Sequence, residues 1–264
     1  MYRFLLTPRW LAFHVLVVFG IVLMVNLGFW QLRRLDERQA FNAAVESRID
    51  LPPAPLDEVL APGVDPDSVE WRSVTASGTY LPAEQFVVVN RSQGGMAGEM
   101  VVTPLELADG RLLLVTRGFV PLGEEAAPAP TGTVDVTGRL RPSQQRQTGQ
   151  LSDSSSGELT EAQRVDIPRL APQLPGETVP MYVELTESQP AGTGGYPQPV
   201  TPPELADGPH LSYALQWFIF SAAVVVGWVL AVRKSVTSRR DAARRAAASA
   251  SPAATGEPAT TSPG

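Results

Sequence analysis

Two runs free of charged residues stand near the ends of this chain, Trp10–Trp30 and Tyr213–Val232. About twenty apolar residues in helical geometry span the roughly 30 Å hydrocarbon layer of a bilayer, so residues 10–30 and 211–232 are predicted to be transmembrane helices. Between them the pattern changes to short β-branched and aromatic runs: Val69–Tyr80, Gln85–Asn90, Met100–Thr103, Thr133–Leu140 and Met181–Leu185. These read as strands. Asp109-Gly110 supplies a turn between two apolar strands within Leu105–Val115, the best hairpin signal in the chain. Gly78, Gly118 and Gly138 fall where strands are expected to end or bulge and where positive φ is useful.

Helix is expected over Leu32–Ser47, continuing the first membrane span, and weakly over Asp166–Leu174, which Pro168 and Pro172 interrupt. The connections Glu124–Gly132, Ser143–Glu161 and Glu187–Pro209 are rich in Pro, Gly and Ser, and the last reads as an extended tether returning to the membrane. The predicted fold class is a membrane-anchored α+β protein, with two transmembrane helices flanking a mainly antiparallel β extracytoplasmic domain. Its order is a cytoplasmic N-terminus (1–9), a first span (10–30), an extracytoplasmic β-rich domain (31–210), a second span (211–232) and a cytoplasmic, basic tail (233–264), expected to be disordered because it has too little apolar content to fold.

Charge fixes the expected orientation. Residues 31–210 carry 13 Arg, no Lys and 25 acidic residues, a net −12, whereas the two tails carry 8 basic against 2 acidic residues. Basic flanks are retained in the cytoplasm, so both termini are expected there and the domain outside, in a multi-pass protein of the cell membrane. Arg33, Arg34 and Arg38 oppose the rule and are outvoted. The first run is longer than a signal-peptide core, and Phe29-Trp30-Gln31-Leu32 does not resemble a small-residue cleavage site. The absence of cysteine removes disulfides and thiolate metal chemistry, and an acidic domain argues against nucleic acid as a partner.

Candidate chemistry is sparse. The chain has two histidines, His14 and His210, both in or beside a membrane segment. Their heights differ by about sixteen residues of helix, roughly 24 Å, so they cannot share a metal ion. His14 reads as a neutral group near the headgroups or a polar helix contact. His210 follows Pro209, which suits a helix start, and shares one helical face with Tyr213, Ala214, Trp217 and Ser221. A neutral imidazole at a helix N-terminus between aromatic walls meets the requirements of a haem-iron ligand. An interfacial aromatic belt explains the same residues. Asn26 and Gln216 lie at similar depth and are expected to pair across the helices. Arg33 and Arg34 emerge near His210, facing acidic groups of a cofactor or lipid phosphates. With no histidine inside the domain to act as general base, a Ser-His-Asp hydrolase is disfavoured and no catalytic residue is assigned.

Three motifs in order carry a resemblance. Leu27-Gly28-Phe29-Trp30-Gln31-Leu32-Arg33-Arg34 closes the first span, Val102-Thr103-Pro104-Leu105 through Val115-Thr116-Arg117-Gly118-Phe119-Val120-Pro121 forms a central hairpin, and His210-Leu211-Ser212-Tyr213-Ala214-Leu215-Gln216-Trp217-Phe218 opens the second span. Together, over about residues 20–235, these resemble the Surfeit locus protein 1 family of cytochrome c oxidase assembly factors. The resemblance implies a non-enzymatic chaperone of the respiratory chain that acts on the haem-copper oxidase catalytic subunit, with haem a synthase as a further partner. It also implies that haem a is bound, with His210 as metal ligand; a haem held transiently there is expected to have Trp30, Tyr213 and Trp217 packing on the macrocycle and its propionates reaching Arg33 or Arg34. The alternative is a scaffold or accessory subunit that stabilises the oxidase without touching haem.

Overall fold

The computed structural model describes residues 2–249. They fall into two compact units, residues 2–39 with 207–249, and Ala40–Ala206.

The first unit is a pair of long antiparallel helices. The N-terminal helix is Pro8–Ile49, of which Ala40–Ile49 belongs to the second unit, and the C-terminal helix is His210–Ser249. Both are long and apolar enough to cross a membrane. On the N-terminal helix the less exposed positions recur every three or four residues, at His14, Val17, Ile21, Met24, Gly28, Gln31 and Leu35. That seam is where one helix meets the other. Gly28 lets the helices close: a β-carbon there would stand 2.7 Å from the Phe218 ring. Opposite it, Ala214 and Ser221 are buried. Elsewhere Leu16, Phe19, Leu215 and Ile219 face outward, the all-round apolar surface of a helix solvated by lipid.

Two expectations are corrected in this unit. Asn26 does not pair with Gln216: its amide donates to the Val22 carbonyl at 2.7 Å, and both side chains are exposed. Helix also continues past Val232 to Ser249, because a stretch of Ala and Arg has strong helical propensity even though it cannot build a core. The remainder of the expected tail, residues 250–264, lies outside the described residues.

The second unit is built on eight strands: β1 (Ala54–Pro55), β2 (Ser73–Tyr80), β3 (Phe86–Gln93), β4 (Met96–Leu107), β5 (Leu112–Pro121), β6 (Thr133–Pro142), β7 (Glu161–Ala162) and β8 (Met181–Gln189). β2 pairs with β6, β6 with β8, β8 with β5, β5 with β4, and β4 with β2, which closes a five-stranded barrel. Four of these pairings are antiparallel and β5–β8 is parallel. β3 and β7 extend the sheet beyond β4. Closure removes free edges from the central strands.

Alternation along the strands sorts the core into two clusters. Leu113 and Val115 of β5 point into the barrel with Val74, Leu105, Val136, Leu140, Met181 and Val183. Leu112 and Leu114 point outward into a second cluster with Phe86, Val102 and Tyr182, covered by Leu159 and the Ile167–Leu170 turn. β5 is therefore buried along its whole length, as its continuous apolar run requires. The expected hairpin turn is present, with Gly110 at φ +85°. Gly78 and Gly138 do not use positive φ. Each lets strands approach so closely that a β-carbon would strike a carbonyl oxygen, of Glu106 and Glu184 respectively.

The tether is also corrected. The β8 strand runs on to Gln189, and the following segment is pinned rather than free. Phe119 and Gln198 exchange backbone hydrogen bonds at 2.7 and 2.9 Å, and Arg139 donates to the Val200 carbonyl at 2.8 Å. Pro190, Pro197 and Pro199 hide this pairing in the sequence, because proline signals a break even where its neighbours pair.

Candidate functional site

The C-terminal helix begins at Gly208-Pro209-His210. Gly208 adopts φ +71°, and the Pro209 carbonyl accepts from the Tyr213 amide at 3.1 Å and the Ser212 hydroxyl at 2.7 Å. This turn brings His210 to the height of Gln31, and His210 Nδ1 lies 2.9 Å from Gln31 Oε1. An amide oxygen only accepts, so Nδ1 carries a proton, and in the neutral ring Nε2 keeps its lone pair. A histidine that ligates metal through one nitrogen needs this kind of partner on the other.

Helical phase decides which predicted residues share that flank. At about 100° per residue, Arg34 lies three residues and only ~60° from Gln31, whereas Arg33 lies ~160° away, on the opposite side of its helix. Arg34 ion-pairs with Glu37 at 2.8 Å, and its guanidinium carbon sits 6.0 Å from the Trp30 ring centroid. Trp30 and Tyr213 are 45% and 47% exposed, so each has a free ring face. Trp217 is half-buried and packs edge-on against Phe220 at 6.2 Å between centroids. His210, Gln31, Tyr213, Trp217 and Arg34 thus lie along one flank of the helix pair, with Trp30 at its margin. Arg33 is exposed and makes no ion pair among the described residues.

Gln31 is the residue whose role sequence reasoning missed. It was visible as a polar residue closing one span just as His210 opens the other. His14 is not brought to this site. Its Nδ1 accepts from Trp228 Nε1 at 2.9 Å, with the two rings T-shaped at 5.7 Å, which makes it a polar helix contact. Among the described residues no group of three or more His, Asp or Glu side chains could hold a metal ion together, so a metal at His210 would have one ligand from this chain.

The domain's charged interior is structural in its connections. Among the described residues Arg117 meets no carboxylate; it donates to the carbonyls of Ala127 and Pro128 at 2.9 and 3.0 Å. Arg91 donates to the Gln163 carbonyl at 2.9 Å. Arg141 bridges Glu70 at 3.1 Å and Glu184 at 3.4 Å, and stacks 3.5 Å over Trp71. Burial pushes the Glu184 carboxyl above its ordinary range, while Arg141 and Arg139 pull it back.

The SURF1 family model matches residues 18–222. An uncharacterized SURF1-like protein of Mycobacterium tuberculosis is 32% identical over 246 residues, covering 90% of this chain and 88% of its own. A SURF1-like protein of Monosiga brevicollis is 29% identical, over 81% of this chain and 85% of its own. The cytochrome oxidase assembly protein SHY1 of Saccharomyces cerevisiae is 32% identical over 40% of this chain and 27% of its own. The family match spans the end of the first helix, the whole barrel and the His210 turn: this chain belongs to the SURF1 family.

Proposed function

We propose that this protein assists cytochrome oxidase assembly as a membrane-anchored carrier that binds haem a through His210 and offers it to the oxidase catalytic subunit. The assembly role rests on the family and on the name of the yeast relative. The observation that carries the carrier reading is the His210–Gln31 contact. It orients the imidazole, satisfies Nδ1 and leaves Nε2 with a lone pair on a flank that also bears Tyr213, Trp217 and Arg34.

The residues fit the group. When bound, haem a supplies an iron that an imidazole nitrogen ligates. His210 holds that position, Gln31 fixes the ring's tautomer and direction, and exposed faces of Trp30 and Tyr213 give apolar packing. Arg34 and, less directly, Arg33 offer cations to carboxylates. A single ligand makes a weak hold, which suits a protein that releases its cargo. The barrel acts as a passive scaffold without turnover. Partners are the catalytic subunit, haem a synthase and the bilayer, with the barrel outside and both termini in the cytoplasm.

Purified protein from haem-a-producing cells should show a Soret band that His210→Ala abolishes and His14→Ala preserves. Gln31→Leu should weaken haem binding by about 10–100-fold, the usual effect of losing a ligand's orienting partner, while Gln31→Glu keeps an acceptor and retains it. An unshifted spectrum in haem-loaded His210→Ala would remove the ligand assignment and leave a scaffold that stabilises the oxidase without haem.

A further inference from the structure

The end of the helix pair far from His210 gathers cations from both ends of the chain. His14 and Trp228 are level, as their hydrogen bond requires, so Arg9, before one, is level with Arg233, after the other. A short helical turn, Arg3–Leu6, precedes the N-terminal helix and is folded onto the C-terminal one. Phe4 holds it there. Its ring is buried, meets Trp10 edge-on at 5.5 Å, and carries the Arg239 guanidinium carbon 4.1 Å from its centroid, a distance for cation–π attraction. Arg240 donates to the Tyr2 hydroxyl at 3.1 Å. Two tiers of cations result. Arg9, Arg233 and Lys234 stand where the apolar runs end, and Arg3, Arg239 and Arg240 stand roughly 9 Å further along the helix axis.

All six are exposed, and none makes an ion pair among the described residues. Asp241 is the only carboxylate in residues 2–9 and 233–249. Like charges collected without counter-charges repel one another, so the turn is held in place at an electrostatic cost that bound anions would remove. What surrounds the cations selects the kind of anion. Tyr2, Leu6 and Leu11 are largely exposed among them; a phospholipid covers such apolar surface, and a free phosphate does not. The headgroup layer extends about 5–8 Å beyond the hydrocarbon on each side, and the long stems of the second-tier arginines let their heads reach back into it. Arg244 and Arg245, about 17 Å past Arg233, stand beyond that layer.

We propose that the two chain ends together form a binding site for the headgroup of an anionic phospholipid, assembled by the packing of Phe4 against Arg239. It lies wholly within the helix pair and does not depend on haem binding.

The test uses the full-length protein in phosphatidylcholine bilayers that contain a trace of phosphatidylglycerol or phosphatidylcholine, spin-labelled at the same acyl position. Electron spin resonance reads the share of each label slowed at the protein surface. Phosphatidylglycerol should associate about fivefold more strongly, the effect of one well-placed cation near a membrane surface. Inorganic phosphate should displace it no better than chloride at equal ionic strength. Arg239→Gln with Arg240→Gln should remove most of the preference, and Arg244→Gln with Arg245→Gln should remove little. Phe4→Ala leaves the net charge unchanged but releases the turn, and should also lower the preference. Equal association of the two lipids with the native protein would overturn the proposal and leave the cations to an acidic protein segment. Selective displacement by phosphate would overturn it in favour of the free ion. Equal losses from the two arginine pairs, or no loss from Phe4→Ala, would mean that bulk charge rather than a built site attracts the lipid, and would overturn it too.

Discussion

His14 Nδ1 accepts a hydrogen bond from Trp228 Nε1 at 2.9 Å, and it does so at the far end of the helix pair from the His210–Gln31 contact. Both histidines of the chain therefore bridge the same two helices, in opposite tautomeric roles. His14 offers its Nδ1 lone pair, so its proton sits on Nε2; His210 donates from Nδ1 and keeps the lone pair on Nε2. In an apolar medium each bond fixes the relative height of the helices, because sliding one past the other by a turn, about 5.4 Å, would break both.

The His14–Trp228 bond is expected to be measurable as coupling. A double-mutant cycle of His14→Ala and Trp228→Phe, read by unfolding in detergent, should give about 0.6–1.7 kcal/mol of interaction. Strictly additive effects would mean that the two rings only touch.

The sequence makes one end of this pair easier to see than the other. His210 stands out because it opens a helix beside Tyr213 and Trp217, whereas Gln31 is one polar residue among several after Trp30. Its role depends on the height of the opposite helix, which no periodicity encodes. Asn26 and Gln216 illustrate the converse: equal depth is not equal facing, and Asn26 turns to the carbonyl of its own helix. In the barrel, β-branched runs and the Asp109-Gly110 turn reveal strands, but they do not reveal that β2 also reaches β4 and closes the ring. Closure depends on Gly78, whose missing side chain admits the Glu106 carbonyl. A lone glycine in a strand pattern reads equally well as a bulge.

Tyr80 gives the barrel a pH signature. Burial pushes its phenol up to about 12, against a smaller opposing pull from Arg117. In the unfolded chain a tyrosine ionises near 10. The neutral phenol is thus the form that the fold favours. Its contribution is intact below pH ~10 and is lost as pH rises from there towards 12, by about 2–3 kcal/mol over two pH units. Alkaline unfolding should steepen across that window in the native protein, and Tyr80→Phe should flatten it. Tyr182 is also raised by burial, so the difference between the two proteins, rather than the native curve alone, isolates Tyr80. Identical alkaline profiles would show that the hydroxyl is already solvated or paired.

The orientation expected from charge is open to a direct test. The barrel domain is acidic while the helix leaving the second span carries Arg233, Lys234, Arg239, Arg240, Arg244 and Arg245. Lys and Arg resist transfer across the membrane, so that end should stay in the cytoplasm, with the barrel on the other side. The chain has no cysteine, which makes single-cysteine variants unambiguous reporters. Ser92 on β3 and Ser238 on the C-terminal helix are both exposed, so neither substitution disturbs a packed side chain. In intact cells an impermeant thiol reagent should label Ser92→Cys and leave Ser238→Cys unlabelled until the membrane is opened. The opposite pattern would place the barrel in the cytoplasm, and with it the helix end that bears His210, on the wrong side for the carrier proposed above.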